Sequence, residues 1–170
     1  MGKHRIERTS VRWLPVLALV LVGSASSAHG ESVPRPFVTD GCTAWSEGTP
    51  RQPELWRHCC VRHDLAFWAG SAGKRDQADL ELRDCVAETG QRGIAKLMYF
   101  GIRAGRKSPR KIAGMQWGNA WSPTEPRRTP LSVADIDALE REILDARYDA
   151  VLDWDSRRGF IQRLRSETPR

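Results

Sequence analysis

The stretch Cys59-Cys60-Val61-Arg62-His63-Asp64 brings two cysteines, a histidine and an aspartate together within six residues. Around it, apolar side chains and one histidine recur at helical spacing over residues 56–67, which predicts a helix from about Pro53 to Trp68 with His63 on its inward face. An imidazole or a carboxylate is costly to bury unless it is hydrogen-bonded or bound to a metal. The stretch therefore predicts a functional site as well as a helix.

A second helix is predicted from about Lys74 to Glu88, after a short connection that contains Gly70 and Gly73. Such a connection implies an antiparallel helical hairpin, in which Asp79 can lie opposite His63. A Cys59–Cys85 bridge would lie on the same two helices and would set their register. In a His-Asp dyad of this kind, the carboxylate fixes the histidine tautomer and the other ring nitrogen takes a proton from water.

Asp64 points about 100° away from His63 around the helix, so it needs a different partner. The irregular, proline- and glycine-rich loop over residues 31–52 offers Asp40-Gly41-Cys42, which a Cys42–Cys60 bridge would pull against the helix. Two carboxylates and loop carbonyls would then converge on one point. Hard oxygen ligands in a flexible loop suit Ca²⁺, which polarises an ester carbonyl and stabilises an oxyanion.

Helical patterns continue along the chain, whereas strand signals are almost absent, so the fold class is predicted to be all-α. A third helix is predicted over Ile94–Ile102. Ser132 and Asp135 open a fourth, and Val151–Leu164 form a further short helical stretch.

Length and composition predict one globular domain with targeting or terminal segments. The chain has 170 residues, of which 40% are hydrophobic and 28% charged, and this excludes collagen-like and wholly disordered proteins. Residues 1–28 have the basic start, short apolar stretch and small-residue end of a secretory signal peptide, with an uncleaved anchor as the alternative. We expect a domain over residues 29–125 that carries the predicted site, followed by a helical C-terminal extension over 126–170. The mature protein is expected to be a secreted or periplasmic monomer.

All four cysteines lie after the predicted signal peptide. An even number of cysteines in an exported protein favours two disulfides over free thiols. Three pairings are possible, and the one that joins Cys59 to Cys60 is disfavoured because neighbours within a helix do not meet disulfide geometry.

Residues 89–124 contain seven basic and no acidic side chains. Such a segment attracts phosphate-bearing partners, and export favours lipid headgroups over nucleic acid. Arg103, Arg106 and Lys107, with Trp117 and Trp121, are therefore candidate membrane contacts. The alternatives are a solvated basic face, and tryptophans that pack over the edge of the core.

The motif Cys59-Cys60-Val61-Arg62-His63-Asp64 resembles the Cys-Cys-x-x-His-Asp signature of secreted phospholipases A2, and Asp40-Gly41-Cys42 is similar to the calcium loop of the shorter bacterial and fungal members. The resemblance covers about residues 37–90. It implies that His63 activates water and that Asp79 orients it. It further implies a calcium site made by Asp40, Gly41 and Asp64. It also implies two disulfides, Cys42–Cys60 and Cys59–Cys85.

The implied function is calcium-dependent hydrolysis of a glycerophospholipid acyl ester at a membrane surface. The sequence departs from the family at Phe67, where a tyrosine hydroxyl is common, and residues 106–170 match no part of it. Three alternatives are a catalytically inactive phospholipase-like binding module, a secreted nucleic-acid binder, and a structural zinc site. The zinc site would use His58, Cys59, Cys60 and His63.

Overall fold

The computed structural model describes residues 33–106, 116–123 and 125–168, and the predicted signal peptide lies outside these ranges. The described residues form five α-helices and no strand, so the predicted helical class is confirmed. The helices are α1 (Arg57–Ala69), α2 (Arg75–Glu88), α3 (Arg92–Arg106), α4 (Val133–Ile143) and α5 (Trp154–Glu167). No helix among the described residues has the length and apolar character needed to span a bilayer.

The predicted start of α1 near Pro53 is wrong, because the helix begins at Arg57. The preceding residues instead form turns that are bonded to the loop. The backbone N–H of Trp56 donates to the Glu47 carbonyl at 2.9 Å, and its indole N–H donates to the Ser46 carbonyl at 2.7 Å. These bonds hold residues 53–56 outside the helix.

Gly70 ends α1 in the left-handed conformation, with φ of 69°. A Cβ atom at this position would lie 2.2 Å from the Cα atom of Gly118, so only glycine fits between α1 and the segment that follows α3. The chain then turns through Gly73 into α2. The predicted hairpin of α1 and α2 is confirmed.

Two disulfides fasten this hairpin and its preceding loop. Cys59 on α1 is bonded to Cys85 on α2, and Cys42 in the loop is bonded to Cys60. The pairing implied by the resemblance is therefore confirmed. A zinc site made from these cysteines is ruled out, because all four thiols are consumed.

The core has two clusters of buried residues that meet at α1. One lies between α1, α2 and α3 and includes Cys59, Leu82 and Met98. The other packs α1 against α4 and α5, and it joins Leu65 and Trp68 to residues that follow position 125. The predicted C-terminal extension is thus helical and shares a core with the hairpin.

Candidate active site

The predicted His-Asp pair is present between the two disulfide-linked helices. The Nε2 atom of His63 lies 3.0 Å from Oδ1 of Asp79. The Asp79 side chain is fully buried, and the His63 side chain is 11% exposed. A carboxylate only accepts hydrogen bonds, so Nε2 carries the proton and Nδ1 of the neutral ring remains the basic atom.

Arg106 binds the other oxygen of the Asp79 carboxylate. The same guanidinium pairs with Asp76 and donates to the backbone carbonyl of Arg75 at 3.1 Å. Its side chain is 18% exposed. The prediction that Arg106 contacts a membrane is therefore wrong, because its charge is used to compensate the buried carboxylate of the dyad.

The His63 ring stacks on Phe67, with the ring centroids 4.6 Å apart. Phe67 meets the edge of Trp117 at 5.0 Å and carries the Arg75 guanidinium over its face at 5.0 Å. Phe67 thus holds the histidine by packing. The second oxygen of the Asp79 carboxylate accepts from Arg106.

The loop that precedes α1 is joined to Asp64 through a hydroxyl group. Thr39 Oγ1 donates to Oδ2 of Asp64 at 2.5 Å, and the backbone N–H of Gly41 donates to Thr39 Oγ1 at 3.0 Å. Gly41 has φ of 75°, and the Glu47 carboxylate occupies the place where a Cβ atom would stand. This glycine is therefore required where the loop passes α1.

Burial raises the pKa of Asp64 from 3.8 to about 6. The Thr39 hydrogen bond and the neighbouring His63 lower this pKa, whereas the negative charge of Asp40 raises it. Asp40 itself is exposed and accepts a hydrogen bond from Thr43 Oγ1 at 2.7 Å. The negative charge of Asp40 disfavours ionisation of Asp64, so a cation would be stabilising between these two side chains.

The donors near Asp64 fit a calcium ion in chemical type. They are hard oxygen atoms on a disulfide-fastened loop and on the adjoining helix, as Ca²⁺ requires. Asp40 and Asp64 supply two carboxylates, and the Gly41 carbonyl and water would supply further oxygens. Within the described ranges, the only cluster of three metal-ligating side chains is His58 with Cys59 and Cys85, whose sulfur atoms are bonded to each other.

A groove of about 380 Å³ runs between α1, α2 and α5, and His63 forms part of its wall. The α5 wall contributes Phe160 and Leu164. At one end, Lys74 Nζ lies 3.0 Å from a carboxylate oxygen of Glu167, which ties α5 to the start of α2. The C-terminal segment therefore forms part of the surroundings of the dyad.

The other predicted membrane contacts have different positions. Trp117 is buried, and its indole donates to the Ser71 carbonyl at 3.2 Å, so its prediction as a membrane contact is wrong. Trp121 is half-buried: its indole donates to the Ala69 carbonyl at 2.9 Å and Arg127 covers its ring. Arg103 is exposed, whereas Lys107 lies outside the described residues.

Two contributors to the site have roles that the sequence did not predict. Thr39 connects the loop to Asp64, and Arg106 binds Asp79 from 27 residues away. Neither position belongs to a periodic pattern or a short motif that would single it out. Thr39 directly precedes the predicted ligand Asp40, and this adjacency is the one local signal for its role.

No protein-family model matches this chain, and neither the curated proteins nor the solved structures contain a match. The likeness to secreted phospholipases A2 therefore rests on the motif residues themselves.

Proposed function

We propose that this protein is an exported, calcium-dependent lipid esterase similar to the secreted phospholipases A2. The observation that supports this most strongly is the contact of 3.0 Å between His63 Nε2 and Asp79, on a disulfide-linked helix pair with Asp64 adjacent. The two disulfides favour an oxidising compartment, in agreement with the predicted signal peptide.

In this proposal His63 is the general base. Its Nδ1 atom takes a proton from water as the water oxygen bonds to the ester carbonyl carbon. Asp79 stabilises the imidazolium that forms, and the Arg106 guanidinium pairs with the other oxygen of the Asp79 carboxylate and holds it in place. When the ester C–O bond breaks, His63 returns the proton to the departing alkoxide, which leaves a fatty acid and a lysophospholipid.

Asp40, Asp64 and the Gly41 carbonyl are the residues that would hold calcium. A bound calcium ion supplies positive charge for the oxygen on which negative charge develops during the reaction. Thr39 positions Asp64, and the Cys42–Cys60 disulfide keeps the loop against α1. These residues therefore preorganise the site before substrate binds.

The test is fatty acid release from phospholipid vesicles and from a soluble short-chain phospholipid, by the oxidised protein without residues 1–28. We expect release with calcium and none with a chelator. His63→Ala should lower turnover by about 10²- to 10⁴-fold, because general base catalysis is lost. His58→Ala is the matched control, since His58 is exposed on the same helix and lies outside the dyad.

Turnover by His63→Ala equal to that of the unmodified protein would refute the mechanism. Absence of release from every lipid class, by protein shown to be folded and calcium-bound, would refute the enzymatic function. It would favour the inactive binding module instead.

A further inference from the structure

Helix α3 exposes apolar side chains that no other described part of the chain covers. Leu97 is 56% exposed and Phe100 is 66% exposed, and both lie on the same side of the helix. Trp45, from the loop after Cys42, is 39% exposed and lies against α3 at Gly101. A Cβ atom on Gly101 would be only 3.0 Å from the Trp45 ring. These three side chains, Leu97, Phe100 and Trp45, form the α3 apolar patch.

Cations lie along one side of the α3 apolar patch. Arg92, Lys96 and Arg103 are exposed, and their spacing of four and seven residues places them in one row beside Phe100. Arg103 also lies 3.3 Å from Asp76 and over the Tyr99 ring. The segment 89–124 itself contains no acidic residue, and Asp76, which pairs with Arg103, belongs to α2.

The α3 apolar patch is connected to both parts of the candidate active site. The last residue of α3 is Arg106, which binds Asp79 of the dyad. Trp45 belongs to the loop that carries the predicted calcium ligands, and its backbone N–H donates to the Cys42 carbonyl at 2.9 Å. The α3 apolar patch therefore belongs to the same helix and the same loop that hold the dyad and the predicted calcium ligands in place.

We infer that the α3 apolar patch and its cationic row dock on a bilayer that contains anionic phospholipids. Apolar side chains that enter the acyl boundary, with cations at headgroup level, are the features of a helix lying in a membrane interface. With 15 residues, α3 is too short to span a bilayer. The inference deepens the proposed function, because docking would explain how an esterase reaches lipid packed in a membrane.

The test separates docking from chemistry by measuring vesicle binding with the His63→Ala protein. Sedimentation with vesicles of phosphatidylcholine alone, and of phosphatidylcholine mixed with phosphatidylglycerol, gives the two partition coefficients. The double variant Leu97→Gln, Phe100→Gln should bind the mixed vesicles about tenfold more weakly or worse, because the inserted side chains are lost. Lys96→Gln should weaken binding about fivefold on the anionic vesicles only.

Control variants carry the same changes elsewhere. Val133→Gln removes a 54% exposed apolar side chain from α4, and Arg128→Gln removes an exposed cation outside α3. Both should bind like the parent protein. The sites of the test variants are exposed, so their folding is expected to be unchanged, which near-UV circular dichroism checks.

Equal binding by the double variant and by Val133→Gln would overturn the inference. Binding to DNA that exceeds binding to anionic vesicles at matched salt would also overturn it and would assign the cationic row to nucleic acid. With His63 restored, the double variant should lose hydrolysis of vesicles while keeping hydrolysis of the soluble short-chain phospholipid. The double variant could lose vesicle binding while the parent protein hydrolyses no lipid. That result would refute the proposed function and would support the docking surface.

Discussion

Asp64 combines burial, a hydrogen bond and a neighbouring charge at a single carboxyl group. Desolvation raises its pKa to about 6, even though Thr39 and His63 both favour the charged form. At neutral pH the folded protein therefore holds this carboxylate charged at a cost in free energy. The calcium ion of the proposed function would offset that cost, and its binding would then couple stability to pH at this residue.

The first prediction concerns the free energy of unfolding of the metal-free protein. The pKa of Asp64 in the folded protein lies above the ordinary 3.8. The contribution of Asp64 to the free energy of unfolding is therefore fully present below about pH 4 and is lost as the pH rises through about 6. Asp64→Asn should remove this fall, which amounts to roughly 3 kcal/mol. Urea unfolding in chelator across this pH range measures it.

The control for this prediction is Glu54→Gln, which changes an exposed carboxyl group in the turns before α1 and should leave the pH dependence of the unfolding free energy unaltered. Calcium should stabilise the parent protein more at pH 7 than at pH 4 and should not stabilise Asp64→Asn. If Asp64→Asn and the parent protein lose the same free energy between these pH values, Asp64 is not the group responsible.

At the scale of elements, α3 supports the pairing of α1 with α2. Arg106, at its C-terminal end, brings a positive charge to the fully buried carboxylate of Asp79. Without it, that carboxylate would keep its contact with His63 and the electrostatic attraction of Arg75. In the proposed mechanism Arg106 is therefore a positioning residue, which would act on hydrolysis through Asp79 and His63.

The second prediction is that Arg106→Gln lowers kcat on a soluble short-chain phospholipid by about 10- to 100-fold with little change in KM. Arg106→Lys should restore part of the loss. A soluble substrate is needed so that membrane docking does not enter the comparison. Arg103→Gln is the control, because Arg103 pairs with the exposed Asp76 and does not touch the dyad. An unchanged kcat in Arg106→Gln would refute this role.

The elements themselves were largely predictable, because each has a local signature. The apolar stripe predicted α1, the hairpin followed from Gly70 and Gly73, and the cap formed by Ser132 and Asp135 marked the start of α4, where the reciprocal capping bonds are present. The His63–Asp79 contact followed from helix register. Arg106 and Thr39 were missed in their roles because a long-range charge pair and a single loop hydroxyl leave no pattern in the sequence.

At the scale of the whole molecule, the segment after residue 125 belongs to the main core. Of the fifteen buried residues in the cluster that includes Leu65 and Trp68, nine follow position 125. They include Ile136, Leu139 and Phe160, which cover the face of α1 that points away from α2 and α3. The sequence could not show this, because amphipathic helices reveal which side is apolar and not which partner it meets.

The last prediction is that a chain from residue 29 to residue 125 does not fold cooperatively, even with both disulfides intact. Each buried aliphatic or aromatic side chain contributes roughly 1.5–3 kcal/mol, so the loss of nine exceeds the total stability of an ordinary domain. A chain that ends at Glu167 is the control, because it keeps α5 and the Lys74–Glu167 pair. Near-UV circular dichroism and urea unfolding compare the two. A sharp unfolding transition in the shorter chain would show instead that the α1 face is stable without α4 and α5, and that the C-terminal segment is an independent addition.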